Sequence, residues 1–96
     1  MTSVFIGIVQ SNCIEIDTDY YGADIKTILN VPDWQTCAKH CQDLAACAKW
    51  SWVSPNFQRS FTARKRCFLK SGEMAQVYKD QHLISGVKSA HCPKIS

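Results

Sequence analysis

The sequence predicts an α+β domain in which one amphipathic helix covers one face of an antiparallel sheet. Three observations predict it. Six cysteines, Cys13, Cys37, Cys41, Cys47, Cys67 and Cys92, stand in 96 residues; their even number in so short a chain points to a secreted module stapled by three disulfides. One stretch carries apolar residues at helical period, and several short stretches rich in branched and aromatic residues read as strands. A chain this short buries a modest core, so covalent links weigh heavily in whether it folds.

Taken in order, residues 1–11 read as a flanking segment or an added edge strand, residues 12–93 as the domain and 94–96 as a tail. The apolar start of the flanking segment lacks the basic residues and cleavage site of a signal peptide, so the chain is expected to be one piece of a longer secreted protein, with Met1 an addition. Cys13 to Asp17 alternates as a strand does, and Asp19-Tyr20-Tyr21-Gly22 supplies turn chemistry. Ile25 to Val31 is a second strand, ended by Pro32. Asp33 is an N-cap residue, and Trp34, Cys37, Ala38, Cys41, Leu44 and Ala45 share one helical face. Ala48 to Val53 alternates, placing Trp50 and Trp52 on one side of a half-buried strand. Ser54 to Lys65 is a polar loop with a basic end, and Arg66 to Lys70 is a short strand turned by Ser71-Gly72. Leu83 to Ser89 is the last strand, in which Gly86 marks a bulge or a close backbone approach. Trp34, Trp50 and Trp52 are assigned to the core between helix and sheet.

Composition excludes several functions. The net charge of +3 is too small to argue for nucleic acid, and no apolar run approaches membrane-spanning length. There is no Cys-x-x-Cys redox pair, Gly-rich phosphate loop, nucleophile elbow, calcium loop or N-glycosylation sequon. Cys37, Cys41, His40, His82 and His91 do not follow a zinc-finger spacing, and Glu15, Asp17, Asp19 and Asp24 read as turn and edge residues rather than a paired-carboxylate site. No catalytic residue, metal or cofactor is expected. The candidate ligand-binding residues are the basic run Arg59, Arg64, Lys65, Arg66 and Lys70, suited to sulfated glycans or acidic partners, with Tyr20 and Tyr21 as stacking surfaces.

Six cysteines allow 15 pairings. Cys37 and Cys41 lie four apart on the helix, where Cβ atoms stand about 5–6 Å apart, too far for a disulfide. Excluding that bond leaves 12 pairings, and geometry alone goes no further.

Cys41-x5-Cys47 followed by Trp50-Ser51-Trp52, then Cys67-Phe-Leu-Lys70, Ile84-Ser-Gly86 and a closing Cys92, resembles the PAN/apple module, as does Tyr21-Gly22-Ala-Asp24 after the first cysteine. The resemblance covers roughly residues 13–92. It is nearest to the apple-domain repeats of apicomplexan (Eimeria-type) microneme adhesins and is shared with the apple domains of factor XI and plasma prekallikrein. It implies a curved sheet cradling the helix, with pairings Cys13–Cys92, Cys37–Cys67 and Cys41–Cys47. Loops of that size restrict the unfolded chain by ~4.5, ~3.7 and ~2.4 kcal/mol in the chain-entropy model, comparable in sum to the whole stability of a small domain. It further implies an extracellular adhesion module, released through the microneme secretory organelle and used in host-cell attachment and invasion as one of several sibling domains. Its partners would be a host-cell surface protein or glycan, or another adhesin, with no nucleic acid and no membrane insertion. A lectin-like module for galactose or sulfated glycans, and a spacer repeat without a ligand, are the two competing readings.

Overall fold

A computed structural model describes residues 13–72 and 76–88. Its elements are β1 (Ile14–Tyr21), β2 (Asp24–Ile28), α1 (Trp34–Asp43), β3 (Lys49–Val53), a 3-10 turn (Phe61–Ala63), β4 (Cys67–Lys70) and β5 (Gln76–Val87). The five strands form one antiparallel sheet in the order β1-β5-β3-β4-β2. A helix packed on such a sheet is the predicted α+β fold.

The helix forms where the cap chemistry directs it. The Asp33 carboxylate accepts from the Thr36 backbone N–H at 2.8 Å and from its hydroxyl at 2.6 Å, satisfying one of the orphan backbone donors of the first turn. These hydrogen bonds hold the Asp33 carboxyl below its ordinary value. At the other end the Leu44 N–H reaches the Cys41 carbonyl, and the chain turns back through Cys47. The inward face carries Cys37 and Cys41, both fully buried. Cys37 bonds to Cys67 on β4 and Cys41 to Cys47, with Cα separations of 5.4 and 5.2 Å. The helix is thus bolted to a sheet strand and to its own exit loop. Cys13 is disulfide-bonded as well; Cys92, the mate implied for it, lies outside the described residues.

Val31, Trp50, Trp52 and Leu69 fill the space between helix and sheet with these cysteines. Trp34 stacks on Trp50 with ring centroids 5.9 Å apart and planes 2° from parallel, and the Trp52 indole N–H donates to the Val31 carbonyl at 2.9 Å. Gly86 stands beside Trp50 in the β3–β5 register. A Cβ there would sit 2.4 Å from Trp50 Cζ2, so of the two readings offered for this glycine the close approach is the one found.

Three expectations are corrected. The segment Asp19-Tyr20-Tyr21 is strand, not turn; β1 runs through it and turns at Gly22-Ala23, both at positive φ (100° and 59°). The last strand begins at Gln76, seven residues before Leu83, because it pairs with that extension of β1. β3 is buried on both faces rather than one, Ser51 being as inaccessible as Trp50.

The third correction follows from the first two. The β1–β5 ladder breaks between Ile16 and Thr18, where Asp17 (φ 55°) faces the run from Asp80 to Leu83, and His82 also has positive φ (71°). The Asp17 carboxylate accepts from the His82 N–H at 3.1 Å and fills the gap. Beyond this bulge the two-stranded arm bends over the sheet face opposite the helix. There the Tyr20 N–H donates to the Ser51 and Ser85 hydroxyls, which are 2.6 Å from each other, and Ser85 donates to the Thr18 carbonyl. Polar side chains are needed on β3 and β5 because a backbone segment crosses them there and brings groups that require partners.

Candidate functional site

The bent arm leaves an open groove of ≈ 500 Å³ between itself and the loop after β3. Asp19 and Tyr21 from β1 and Tyr78 and Asp80 from β5 line it, and Arg59 reaches in from the loop, with Lys79 and Gln81 at the margin. In the strand register Asp19 stands opposite Tyr78, which brings the tyrosines to one surface.

The Tyr21 and Tyr78 rings meet edge to face, centroids 6.0 Å apart. They are 63% and 49% exposed, unusual for two aromatic residues in contact and therefore available to a ligand. Arg59 is held on both sides. Its guanidinium lies over the Phe57 ring at 5.0 Å and pairs with Asp80, and Phe57 is itself buried against Val53 and Leu83. The Arg59 end of the groove is accordingly fixed by packing rather than by charge alone.

Asp19 lies at the inner side. Burial pushes its carboxyl above the ordinary value. Lys70 opposes that rise, Asp80 and Asp24 add to it, and a hydrogen bond with Ser51 pulls it down. Lys70 is committed to Asp24 and Arg59 to Asp80, which leaves Asp19 without an ion pair among the described residues. A poorly solvated carboxylate of this kind gains from any donor that enters the groove. Chemically, the groove offers two apolar ring surfaces, a carboxylate, an amide and a fixed guanidinium–carboxylate pair.

The seven predicted ligand residues separate into three settings. Arg59 and Tyr21 belong to the groove. Arg64, Lys65 and Arg66 form a group on the loop before β4, and Arg64 donates to the Phe57 carbonyl while covering the Phe61 ring at 4.2 Å. Lys70 and Tyr20 are corrections. Lys70 is 2% exposed and bound to the Gly22 carbonyl and Asp24, so it anchors the β1–β2 turn and is closed to a ligand. Tyr20 is 7% exposed. Burial first, and then its hydrogen bond to Glu15, hold its phenol protonated well above the ordinary range. Successive strand residues point to opposite faces, so only one of the Tyr20–Tyr21 pair can reach solvent.

Tyr78, Asp80 and Asp19 escaped sequence reasoning as site residues. The signal for them was the alternation of Gln76, Tyr78 and Asp80, which places three side chains on one face of a strand. Among the described residues no group of three or more His, Cys, Asp or Glu is arranged to hold a metal ion, and no helix is long and apolar enough to cross a membrane.

The family model described as PAN domain matches residues 18–70, from the start of the bent arm to the end of β4. No curated protein matches the chain.

Proposed function

We propose, from the premise that this chain belongs to the PAN domain family, that it recognises saccharide-bearing partners outside the cell through the groove of Tyr21 and Tyr78. PAN domains bind proteins or carbohydrates and are generally non-catalytic. Disulfides hold the core of this one, which suits an oxidising, secreted setting.

The exposed tyrosine pair beside the half-buried Asp19 carboxylate carries the reading. A pyranose ring presents an apolar C–H face and a rim of hydroxyls. The tyrosines supply the stacking partner, and Asp19, Gln81 and the Arg59–Asp80 pair supply acceptors and donors at the rim. A single groove of this size binds weakly; several sibling modules on one chain convert weak contacts into firm attachment. That arithmetic suits the microneme-type adhesin implied by the sequence, working as one repeat in attachment to a host cell.

A glycan array followed by amide-shift mapping tests this. The expected result is a saccharide hit whose shifts centre on Tyr21, Tyr78 and Asp19 and vanish in Tyr78→Ala. A protein ligand mapping to the groove would keep the site and replace the ligand class. No shift with either would make the domain a spacer.

A further inference from the structure

We propose that Arg64, Lys65 and Arg66, together with Phe61, form a second binding site, separate from the groove, for a sulfated polysaccharide. The observation begins in the sequence: between Asp43 and Glu73 there is no acidic residue, while Lys49, Arg59, Arg64, Lys65, Arg66 and Lys70 all fall there. The fold then sorts these cations. Lys70 is buried on Asp24, Arg59 is paired with Asp80, and Lys49 lies over the Tyr20 ring. Arg64, Lys65 and Arg66 are consecutive, and none has a carboxylate partner among the described residues.

The three are also held in place. Lys65 adopts a left-handed backbone, φ 65°, which L side chains enter only when the surroundings impose it. Its N–H donates to the Val53 carbonyl and its own carbonyl accepts from Val31, both at 2.8 Å. Cys67, one residue past Arg66, is bonded to the helix through Cys37. The Arg64 guanidinium sits over the Phe61 ring, 4.2 Å from its centroid, and Phe61 is 73% exposed. Arg66 is half-buried, with its Nε enclosed by the protein, so packing restrains the stem of this side chain as well. A fixed backbone spares the ligand the entropy of ordering a loop.

The occupant follows from charge and compartment. Three adjacent cations match a polymer with closely repeated fixed anions, and guanidinium groups pair well with tetrahedral oxyanions. In the oxidising setting that the disulfides imply, sulfated polysaccharide supplies that chemistry, and Phe61 offers a ring face to its sugar backbone.

Heparin affinity on the full chain tests the site, with Lys65→Gly as the decisive variant. Glycine is at ease at φ 65°, so this change removes one charge while leaving the backbone content. The expected result is retention on heparin at physiological salt, about fivefold weaker binding in Lys65→Gly, and a shallower dependence of affinity on salt, as counterion release requires. Tyr78→Ala should leave heparin binding unchanged, which separates this site from the groove. Failure of the chain to bind heparin, equal binding by Lys65→Gly, or equal affinity for desulfated heparin or polyglutamate would each overturn the proposal.

Discussion

Replacing Gly86 by alanine should cost this domain much of its stability, and the size of the effect can be worked from the contacts. The added Cβ would lie 2.4 and 2.7 Å from Trp50 Cζ2 and Cε2 and 2.8 Å from the Cys13 carbonyl oxygen. None of these atoms can give way cheaply. Trp50 is 1% exposed and stacked on Trp34, and the Cys13 carbonyl accepts from the Val87 N–H at 2.9 Å. Overpacking a filled core costs about 1–3 kcal/mol, and three simultaneous overlaps put Gly86→Ala at the upper end. For a domain of this length each kcal/mol lowers Tm by about 4–8 °C, so a loss of about 12–24 °C is expected by thermal denaturation with the disulfides intact. Gly72→Ala is the control, because its Cβ would meet only Ala48 Cβ at an ordinary 3.6 Å; Tm should barely move. In the double variant Gly86→Ala with Trp50→Phe, the two losses should sum to less than their separate values by about 1 kcal/mol or more. A Tm for Gly86→Ala within about 3 °C of the parent chain, or strict additivity with Trp50→Phe, would refute the steric argument.

Asp19→Asn should stabilise the domain at neutral pH: the folded carboxyl is raised above 3.8, so the folded state holds its proton more tightly and loses stability as pH rises through that value. Chemical denaturation across pH should show the advantage of Asn disappearing below pH 3.8; an advantage constant with pH would contradict it. Tyr20→Phe should remove a phenolate signal from the high-pH end of an alkaline absorbance titration, since Tyr20 is held protonated above the ordinary tyrosine value of 10.0 and its stabilising contribution fades only as pH climbs past that point; a titration curve unchanged above pH 10.0 would contradict it. Replacing Cys37 and Cys67 together by alanine should cost about 3–4 kcal/mol in the chain-entropy model, for a separation of 30 residues; urea midpoints would reveal it, and an unchanged midpoint would mean the helix docks without its bolt.

The helix was legible because every signal for it is local. Asp33 as cap and the spacing of Trp34, Cys37, Ala38 and Cys41 lie within about ten residues; only the end differs, since the expected face ran on to Ala45 and the helix stops at Asp43 with Leu44 extended. β3 and β4 were legible for the same reason. The bent arm was not. Asp19-Tyr20-Tyr21-Gly22 has the composition of a turn, and only pairing with residues more than fifty positions away keeps it extended. Residues 76–82 were passed over because lysine, aspartate, glutamine and histidine break up the apolar alternation that marks a strand. The groove inherits both omissions. Apart from Arg59 on the loop, its residues come from the part of β1 read as turn and the part of β5 not assigned to any strand, so Arg59 and Tyr21 could be named from sequence but their meeting in one groove emerges only once the long-range pairing is known.

The two halves of the chain's chemistry are accordingly held by different forces. The basic group on the loop before β4 stands next to Cys67, where a disulfide, two backbone hydrogen bonds to Lys65 and the Trp-rich core fix it. The groove hangs on an arm attached to the sheet by the Ser51–Ser85 hydroxyl pair and by Tyr20, with no disulfide beyond the bulge among the described residues. Local opening free energy tracks such attachments. Amide hydrogen exchange should therefore find slower exchange at Val53 and Lys65 than at Asp19 and Tyr78. Ser51→Ala should loosen the arm selectively, leaving the Tyr20 N–H with a single hydroxyl partner and raising exchange at residues 18–21 while residues 61–67 stay unchanged. If Ser51→Ala instead speeds exchange uniformly over both regions, the arm and the disulfide-bonded core open as one unit, and the mechanical independence of the two sites is lost.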